Sequence, residues 1–528
     1  MSVPLTPLRF LAQSEELEPD KLAVVCGANR LTYGQYGDRV RHLSGALADL
    51  GVGPGDRVAY LGLNCHRLLE LYYAVPARGA ILCPLNVRLT VPELTFILND
   101  LEPRLLVTDQ LLSPLAQRLQ PLVPTIEHVV LLAGQTPPGW LDYETLLAAA
   151  APRDYLAEVD DENRVAEIFY TSGTTGRPKG VMLTHRNLHQ HAVSVIISLP
   201  VRPDDIQLVG TVPLFHVNGW GAPQYLVATA GTQVVTPCFD PADFFRLVAT
   251  ERVTLAMLVP TMLAAVVNFP GRGDYDVSSL TRVCIGGAPP PPSLIREARE
   301  RLGVNCIVGY GLSETCPVLT LANIKPSLSG APADLQDELR SRTGLPVFGA
   351  QLRAVDDAGR DVPHDGQSVG EIWARGDMVT PGYWRRPEET AEAFRDGWFC
   401  TGDMAVVDAQ GYYNIVDRKK DIIISGGENI SSVEVENALY SHPAVLEAAV
   451  IGVPDQRWGE VPYAFVALRP GTTATAEELI AHGRDRLAAF KLPKGIEFWP
   501  ELPKTGTGKV QKHQLRQHFR DRQATGTT

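Results

Sequence analysis

Between Tyr170 and Gly180 the chain reads Thr-Ser-Gly-Thr-Thr-Gly-Arg-Pro-Lys, a composition suited to holding a polyphosphate. Gly173, Gly176 and Gly180 let the backbone bend and approach an anion closely. The exposed N–H groups then form an anion-binding concavity. Hydroxyls of Thr171, Ser172, Thr174 and Thr175 add donors, and Lys179 adds a point charge. The apolar Ile168-Phe169 ahead of the loop reads as the end of a buried strand, which places the loop at a sheet edge. A Gly/Ser/Thr cluster is also the composition of an ordinary surface turn. A Walker-type loop requires G-x-x-x-x-G-K-[ST]. Here Lys179 follows Arg-Pro and precedes Gly180, so the chain is not an ordinary P-loop NTPase.

Further strings carry chemistry in a fixed order. Pro213-Leu-Phe-His-Val-Asn-Gly-Trp220 contains no acidic residue, and Gly286-Gly-Ala-Pro289 reads by itself as a turn. Gly309-Tyr-Gly-Leu-Ser-Glu-Thr315 follows a strand-like Asn305–Val308. Its G-x-G is a weak dinucleotide signal, and Glu314 occupies the place of a third glycine. Thr401-Gly-Asp403 and Asp417-Arg418 come next, then Ser425-Gly-Gly-Glu-Asn-Ile-Ser-Ser-Val-Glu-Val435. Pro503-Lys-Thr-Gly-Thr-Gly-Lys509 ends like a Walker loop, but Pro503 and Val510 replace the glycine and hydroxyl that such a loop needs.

Taken together, these strings resemble the signatures of the adenylate-forming superfamily: acyl-CoA synthetases, aryl-CoA ligases, peptide-synthetase adenylation domains and firefly luciferase. The resemblance runs over residues 10–520. It implies a luciferase-like α/β fold, with a large N-terminal domain of mostly parallel sheets flanked by helices and a β-rich subdomain, and a small mobile α+β C-terminal domain. It also implies ATP, Mg²⁺ and CoA as the co-substrates and cofactor. Thr171, Ser172, Gly173, Thr174, Thr175, Gly176 and Lys179 would cradle the ATP phosphates. Gly287, Ala288, Gly309, Tyr310, Gly311 and Ser313 would line the adenine and phosphate region. Glu314 with Thr171 would hold Mg²⁺, a hard cation that takes oxygen ligands. Asp403 would accept both ribose hydroxyls, and Arg418 would donate to the ribose oxygens. Lys509 would be the catalytic lysine, because a substrate carboxylate attacking the α-phosphorus brings two anions together. A cation bridging them stabilises the pentacoordinate transition state.

The same resemblance assigns His216, Asn218, Gly219, Trp220, Gly287 and Gly311 to the acyl pocket, with His216 at the carboxylate. Trp220 falls where some long-chain enzymes place a gating tryptophan, although a lone aromatic of this kind also suits a core. An amino-acid-activating enzyme would place an aspartate in the 213–220 segment. Gly426 and Gly427 would line a pantetheine tunnel, or serve only a strand-to-helix turn. Trp458, Phe490 and Lys494 match positions that bind the CoA nucleotide in some aryl-CoA ligases, though they suit packing equally; Leu492 departs from a basic position there. Lys420 falls at the hinge. The implied reaction turns carboxylate and ATP into acyl-adenylate and pyrophosphate, after which CoA thiolate displaces AMP. A medium- or long-chain fatty acid is the favoured substrate, an aryl or arylpropenoic acid the second, and loading of a carrier protein the third reading.

The elements that must position these groups follow from length and pattern. At 528 residues the chain exceeds one core, so two or more domains are expected. Their expected boundaries are 1–419 for the adenylation domain and 420–528 for the mobile one, with Asp417-Arg-Lys-Lys-Asp421 as the hinge. Val40, Leu43, Leu47 and Leu50 recur at helical spacing with Gly51 as a stop. Strand-like runs at 57–63, 80–83, 105–108, 127–132, 233–236, 255–259 and 282–285 alternate with helical patterns, which predicts largely parallel sheets. Segment 344–413 reads as a β-rich subdomain. Net charge of −12 argues against nonspecific binding to nucleic acid or anionic membrane. The most apolar run, 255–267, is too short to span a bilayer. Eight cysteines without CxxC spacing fit buried thiols in a reducing compartment. The expected location is the cytoplasm. The expected partners are a small-molecule carboxylic acid, ATP and CoA, with a homodimer left open.

Overall fold

The computed structural model describes residues 3–157, 159–171, 178–426, 428–504 and 510–524. The chain divides into two compact units, Met1–Gln351 with Ala374–Phe399, and Leu352–Trp373 with Cys400–Thr528.

Two sheets carry the first unit. The seven-stranded sheet runs Leu141–Asp142, His128–Leu131, Leu105–Thr108, Arg57–Leu61, Ile81–Pro84, Val165–Thr171 and Lys179–Thr184. Every neighbouring pair is parallel except the last. The nine-stranded sheet has a parallel centre: Asn305–Gly311, Arg282–Ile285, Leu255–Leu258, Ile206–Val209, Thr232–Val235 and Leu22–Cys26. Antiparallel strands close it at both ends. The parallel centres are as the βα alternation predicts. Three exceptions, Asn29–Thr32, Lys179–Thr184 and Val318–Leu321, follow their partners after connections too short for a crossover, so the chain turns back as a hairpin; the fourth, Leu345–Pro346, returns antiparallel to Val318–Leu321 after the helix Ala333–Ser341.

Side chains alternate between the faces of each strand. Val58 and Tyr60 therefore enter one core while Ala59 and Leu61 enter another. Leu255 and Met257 separate from Ala256 and Leu258 in the same way. The inner faces of both sheets share one core, filled by helices that include Tyr33–Asp49, His66–Ala77 and His185–Ser198. His66–Ala77 is buried at nearly every position, as a helix between two sheets must be. Tyr33–Asp49 begins with a Thr32/Gln35 capping box, and Gly51 just beyond it takes φ 74°. Val91–Leu101 and Ser113–Leu119 cover the outer face of the seven-stranded sheet, and Pro241–Glu251, Pro260–Val267 and Pro292–Leu302 that of the other.

In the second unit, the Asp403–Val407 part of the strand Trp398–Val407 pairs antiparallel with Tyr413–Arg418, with Asp403 opposite Arg418. A separate sheet runs Glu428–Ile430, Ile423–Ser425, Gly459–Leu468, Val445–Asp455, and Ile496–Phe498 joins Gly459–Leu468 in parallel. Ser432–Tyr440 and Ala476–Arg484 pack on one face, Lys512–Ala524 on the other.

Candidate active site

The phosphate-loop candidate links two antiparallel strands, with Thr171 opposite Lys179 and Tyr170 opposite Gly180. Ser172, Gly173, Thr174, Thr175 and Gly176 lie outside the described residues, so only the base of the loop is seen. Alternation turns Tyr170 away from Thr171, and its hydroxyl donates to Asp100 at 2.7 Å. Lys179 Nζ stands 5.2 Å from the centre of the Tyr383 ring, a distance at which a cation is attracted to the ring face. Tyr383 in turn donates its hydroxyl to Glu314 Oε1 at 2.9 Å. Burial, then the neighbouring Glu314, push the Tyr383 hydroxyl well above its usual pKa, which keeps it a donor. Two further contacts fix this corner: Val181 bridges Tyr383, and Thr380 N–H donates to the Glu314 carbonyl at 2.8 Å. The structure thus gathers Lys179 and Glu314 around one tyrosine that sequence reading missed. The distance of 69 residues between Tyr383 and Glu314 hid the pairing.

Glu314 sits in the turn Ser313–Thr315 after the strand Asn305–Gly311. Thr315 Oγ1 closes the turn by donating to the Pro317 carbonyl at 2.6 Å. A side chain at Gly311 would meet that same carbonyl at 1.6 Å, so glycine is required there by the backbone itself. Ser313 is buried, Tyr310 and Gly311 are half-buried, and Gly287 and Ala288 are exposed at the end of the strand Arg282–Ile285.

The segment expected to line the acid pocket has unusual geometry. From Val217 to Gly221 five successive residues take positive φ, from 43° to 87°, so the start of Val217–Ala228 is a left-handed turn. Left-handed backbone costs a non-glycine residue about 1–2 kcal/mol, and Val217 and Trp220 are poorly suited to it. The surroundings hold it. Asn218 is fully buried and donates Nδ2 to Glu167 Oε2 at 2.8 Å, while Gln224 Nε2 donates to Oε1 at 3.0 Å. Trp220 is 8% exposed. The tip of its indole lies so close to Gly286 that a Cβ there would stand 2.8 Å from Cη2. The structure therefore brings the 213–220 and 286–289 segments together. His216 is half-buried at the head of the turn, and its carbonyl accepts from Gly219 N–H at 3.2 Å.

In the second unit Arg418 Nε donates to Asp403 Oδ1 at 2.7 Å, a contact set by their cross-strand register. The carboxylate of Asp417 accepts from Ser432 N–H at 2.6 Å, and Asp421 pairs with Arg516 at 2.6 Å. Lys420 between them is exposed. Lys512 was not singled out by sequence reading, yet its Nζ pairs with Glu436 at 2.7 Å and also bonds Ser432. Burial opposes its charge, but Glu436 and Asp417 hold its pKa above the usual lysine value. Lys509 lies outside the described residues, as does Gly427. The segment containing Lys509 is bracketed by a Lys504–Val510 bridge and by Gln511 N–H donating to the Pro503 carbonyl at 2.8 Å. Gly426, at φ 60°, donates its N–H to the Trp458 carbonyl at 2.7 Å, and a Cβ on it would meet the indole at 2.8 Å. Arg457 stacks on Trp458 at 4.7 Å, and both Trp458 and Phe490 are exposed. Lys494 N–H donates to Pro462 O at 2.8 Å. Among the described residues no ring contact joins Trp458 to Phe490.

Comparison with known proteins identifies the family. The family described as AMP-binding enzyme matches residues 11–384, and the AMP-binding enzyme C-terminal domain matches 434–509. The chain is 40% identical over 503 residues to a long-chain-fatty-acid–CoA ligase of Thermus thermophilus, covering 93% of this chain and 91% of the relative. It is 41% identical over 516 residues to a feruloyl-CoA synthase of an Amycolatopsis species, covering 95% and 97%. An anthranilate CoA ligase solved with anthranoyl-AMP superposes with a TM-score of 0.88 at 28% identity, covering 98% of both chains. With its signature strings in order on this fold, the chain belongs to the AMP-binding enzymes and is an adenylate-forming acid–CoA ligase.

Proposed function

We propose that the acid is a medium- or long-chain fatty acid, and that the buried, apolar turn ending in Trp220 is the observation that carries this reading. Nothing between Pro213 and Trp220 is acidic, so that segment offers no partner for a substrate ammonium. Leu214, Val217 and Trp220 are buried apolar side chains. An apolar pocket gains about 0.8 kcal/mol per buried methylene. The similarity to a long-chain-fatty-acid–CoA ligase supports the assignment.

In this scheme His216 orients the substrate carboxylate, and one carboxylate oxygen attacks the α-phosphorus. Pyrophosphate leaves, and Lys509 offsets the charge that accumulates. Asp403 and Arg418 take the ribose. The CoA thiolate then attacks the acyl carbon and AMP departs, with Gly426, Gly427, Trp458, Phe490 and Lys494 as the CoA-contacting residues and Lys420 as the hinge between domains 1–419 and 420–528. Mg²⁺ suits the donor set: among the described residues no cluster of three or more His, Cys, Asp or Glu could hold a metal, whereas Mg²⁺ needs only one or two carboxylates beside substrate phosphates. Glu314 and the hydroxyl of Thr171 would supply that contact, and the ion would neutralise phosphate charge.

An aryl acid is the second reading, favoured by the similarity to a feruloyl-CoA synthase. Pyrophosphate release measured over straight-chain acids of rising length and over benzoate, cinnamate and ferulate separates the two. Preference for octanoate or longer acids is expected, with Trp220→Ala moving the optimum to longer chains. Preference for cinnamate over octanoate rejects the fatty-acid reading.

A further inference from the structure

Glu167 lies on the strand Val165–Thr171 and is completely buried. Among the described residues it makes no ion pair; its two oxygens are met by Asn218 Nδ2 at 2.8 Å and Gln224 Nε2 at 3.0 Å. Both donors belong to Val217–Ala228, and Asn218 sits inside the left-handed turn that ends at Gly221. Asn218 Oδ1 and Gln224 Oε1 are buried without a partner. A buried carboxylate facing only amides is far more costly than a buried carboxylic acid with the same contacts. Because the two ends of an amide are interchangeable in shape, a half-turn of one amide turns its oxygen toward Glu167. The carboxylic O–H then donates to that oxygen, and the other amide still donates to the acid's carbonyl. Both contacts survive without a buried charge.

We propose that Glu167 is a positioning residue for the acid pocket: anchored in the sheet, it fixes Asn218 and Gln224, holds Val217–Gly221 left-handed, and so sets where the Trp220 indole closes the pocket. This rests on the reading of the 213–220 segment as the acid pocket. The turn cannot hold itself. Val217 and Trp220 disfavour its backbone, and Asn218 is the residue within it whose side chain reaches the sheet. Burial pushes the Glu167 carboxyl up to about 8, against the pull of its two amide donors, so it carries its proton at neutral pH. The titratable groups that face it stay neutral there. They are Tyr72 and Tyr73 from His66–Ala77 and Cys316 after the Ser313–Thr315 turn, all raised by burial. His191, packed on Gly221, is lowered by burial to about 3. The strand neighbours of Glu167, Leu82 and Leu183, do not titrate.

The test compares full-length wild type, Glu167→Gln, Glu167→Met and Trp220→Ala over straight-chain acids from butanoate to hexadecanoate, with KM for ATP measured in parallel. Gln keeps a neutral donor–acceptor side chain of the same size and should retain the wild-type length profile. Met leaves both amides unmatched and should raise the acid KM about tenfold or more, with a displaced length optimum and a nearly unchanged KM for ATP. The wild-type acid KM should climb as pH rises through about 8, and the Gln variant should not follow it. A wild-type length profile in Glu167→Met overturns the proposal, as does an equal rise in both KM values. If Trp220→Ala shifts the profile and Glu167→Met does not, the positioning role alone fails; if neither shifts it, the pocket reading fails as well. Should Glu167→Met not fold, the pH comparison decides, and coincident profiles for wild type and Glu167→Gln sink the idea.

Discussion

Lys179, Tyr383 and Glu314 form a cation–ring–carboxylate chain in which each group restrains the next. Tyr383→Phe deletes only the hydroxyl and leaves the half-buried ring in place. Loss of a hydrogen bond to a carboxylate costs about 1.5–3 kcal/mol when the partner is charged. Adenylation should therefore fall by about tenfold to a hundredfold, and part of the loss should be recovered at high Mg²⁺ if the hydroxyl orients Glu314 for the ion. Pyrophosphate release titrated with Mg²⁺ reads this out; an unchanged Mg²⁺ dependence with full activity would show the contact to be ornamental. The role proposed for Lys509 has its own test. Lys509→Ala should cost adenylation roughly 10²–10³ in rate, the scale of a lost oxyanion donor, while thioester formation from pre-made acyl-adenylate survives. Equal loss of both half-reactions in a folded variant refutes that division. Lys179 and Glu314 could be singled out in the sequence because each stands in a short string whose composition suggests the proposed phosphate and metal chemistry. Tyr383 and Glu167 were not, because their partners come from distant segments and only the sheet brings them together.

The strands were legible for a physical reason: continuous apolar runs such as Leu105–Val107 and Val283–Ile285 are the pattern of strands buried on both faces. The left-handed turn was not. Every local rule argues against Val217 and Trp220 at positive φ, and the turn exists through contacts that no local pattern encodes. Its glycines test this. Gly221 takes φ 87°, and an added Cβ would stand 2.6 Å from His191 Cε1 inside the core. Gly303, the left-handed cap of Pro292–Leu302 at φ 70°, has open space instead. Gly303→Ala should cost about 1 kcal/mol from backbone strain alone, whereas Gly221→Ala adds a clash with a buried ring and should cost about 2–4 kcal/mol. Thermal unfolding of the two variants checks the order, and equal shifts would mean that the turn relaxes at no expense.

Across the whole molecule, buried ionisable groups set opposing slopes in stability against pH. Burial lowers His66 and His185 to about 4 and His191 to about 3, while burial raises Glu167 to about 8. Each depressed histidine contributes stability that is complete above its unfolded pKa, about 6.5, and is lost as pH falls toward its folded value, because the unfolded chain binds the extra proton. Glu167 acts in the other direction. Its contribution is complete below the unfolded carboxyl value, near 4.5, and is lost as pH rises through about 8. Each proton is worth about 1.4 kcal/mol per pH unit within its window. Between about pH 5 and 6.5 the three histidines outweigh the one acid, and above about 6.5 only the acid's slope remains of the four. The combined contribution of these four groups should therefore peak near pH 6.5 and decline on both sides. Glu167→Gln should flatten the decline from pH 6.5 to 8 and steepen the rise between about pH 5 and 6.5, because glutamine has no proton to lose anywhere in that window. Melting temperature recorded every half pH unit for wild type and this variant is the measurement. If the two curves run parallel above pH 6.5, Glu167 does not hold a proton in the folded enzyme, and the alkaline limb belongs to other groups.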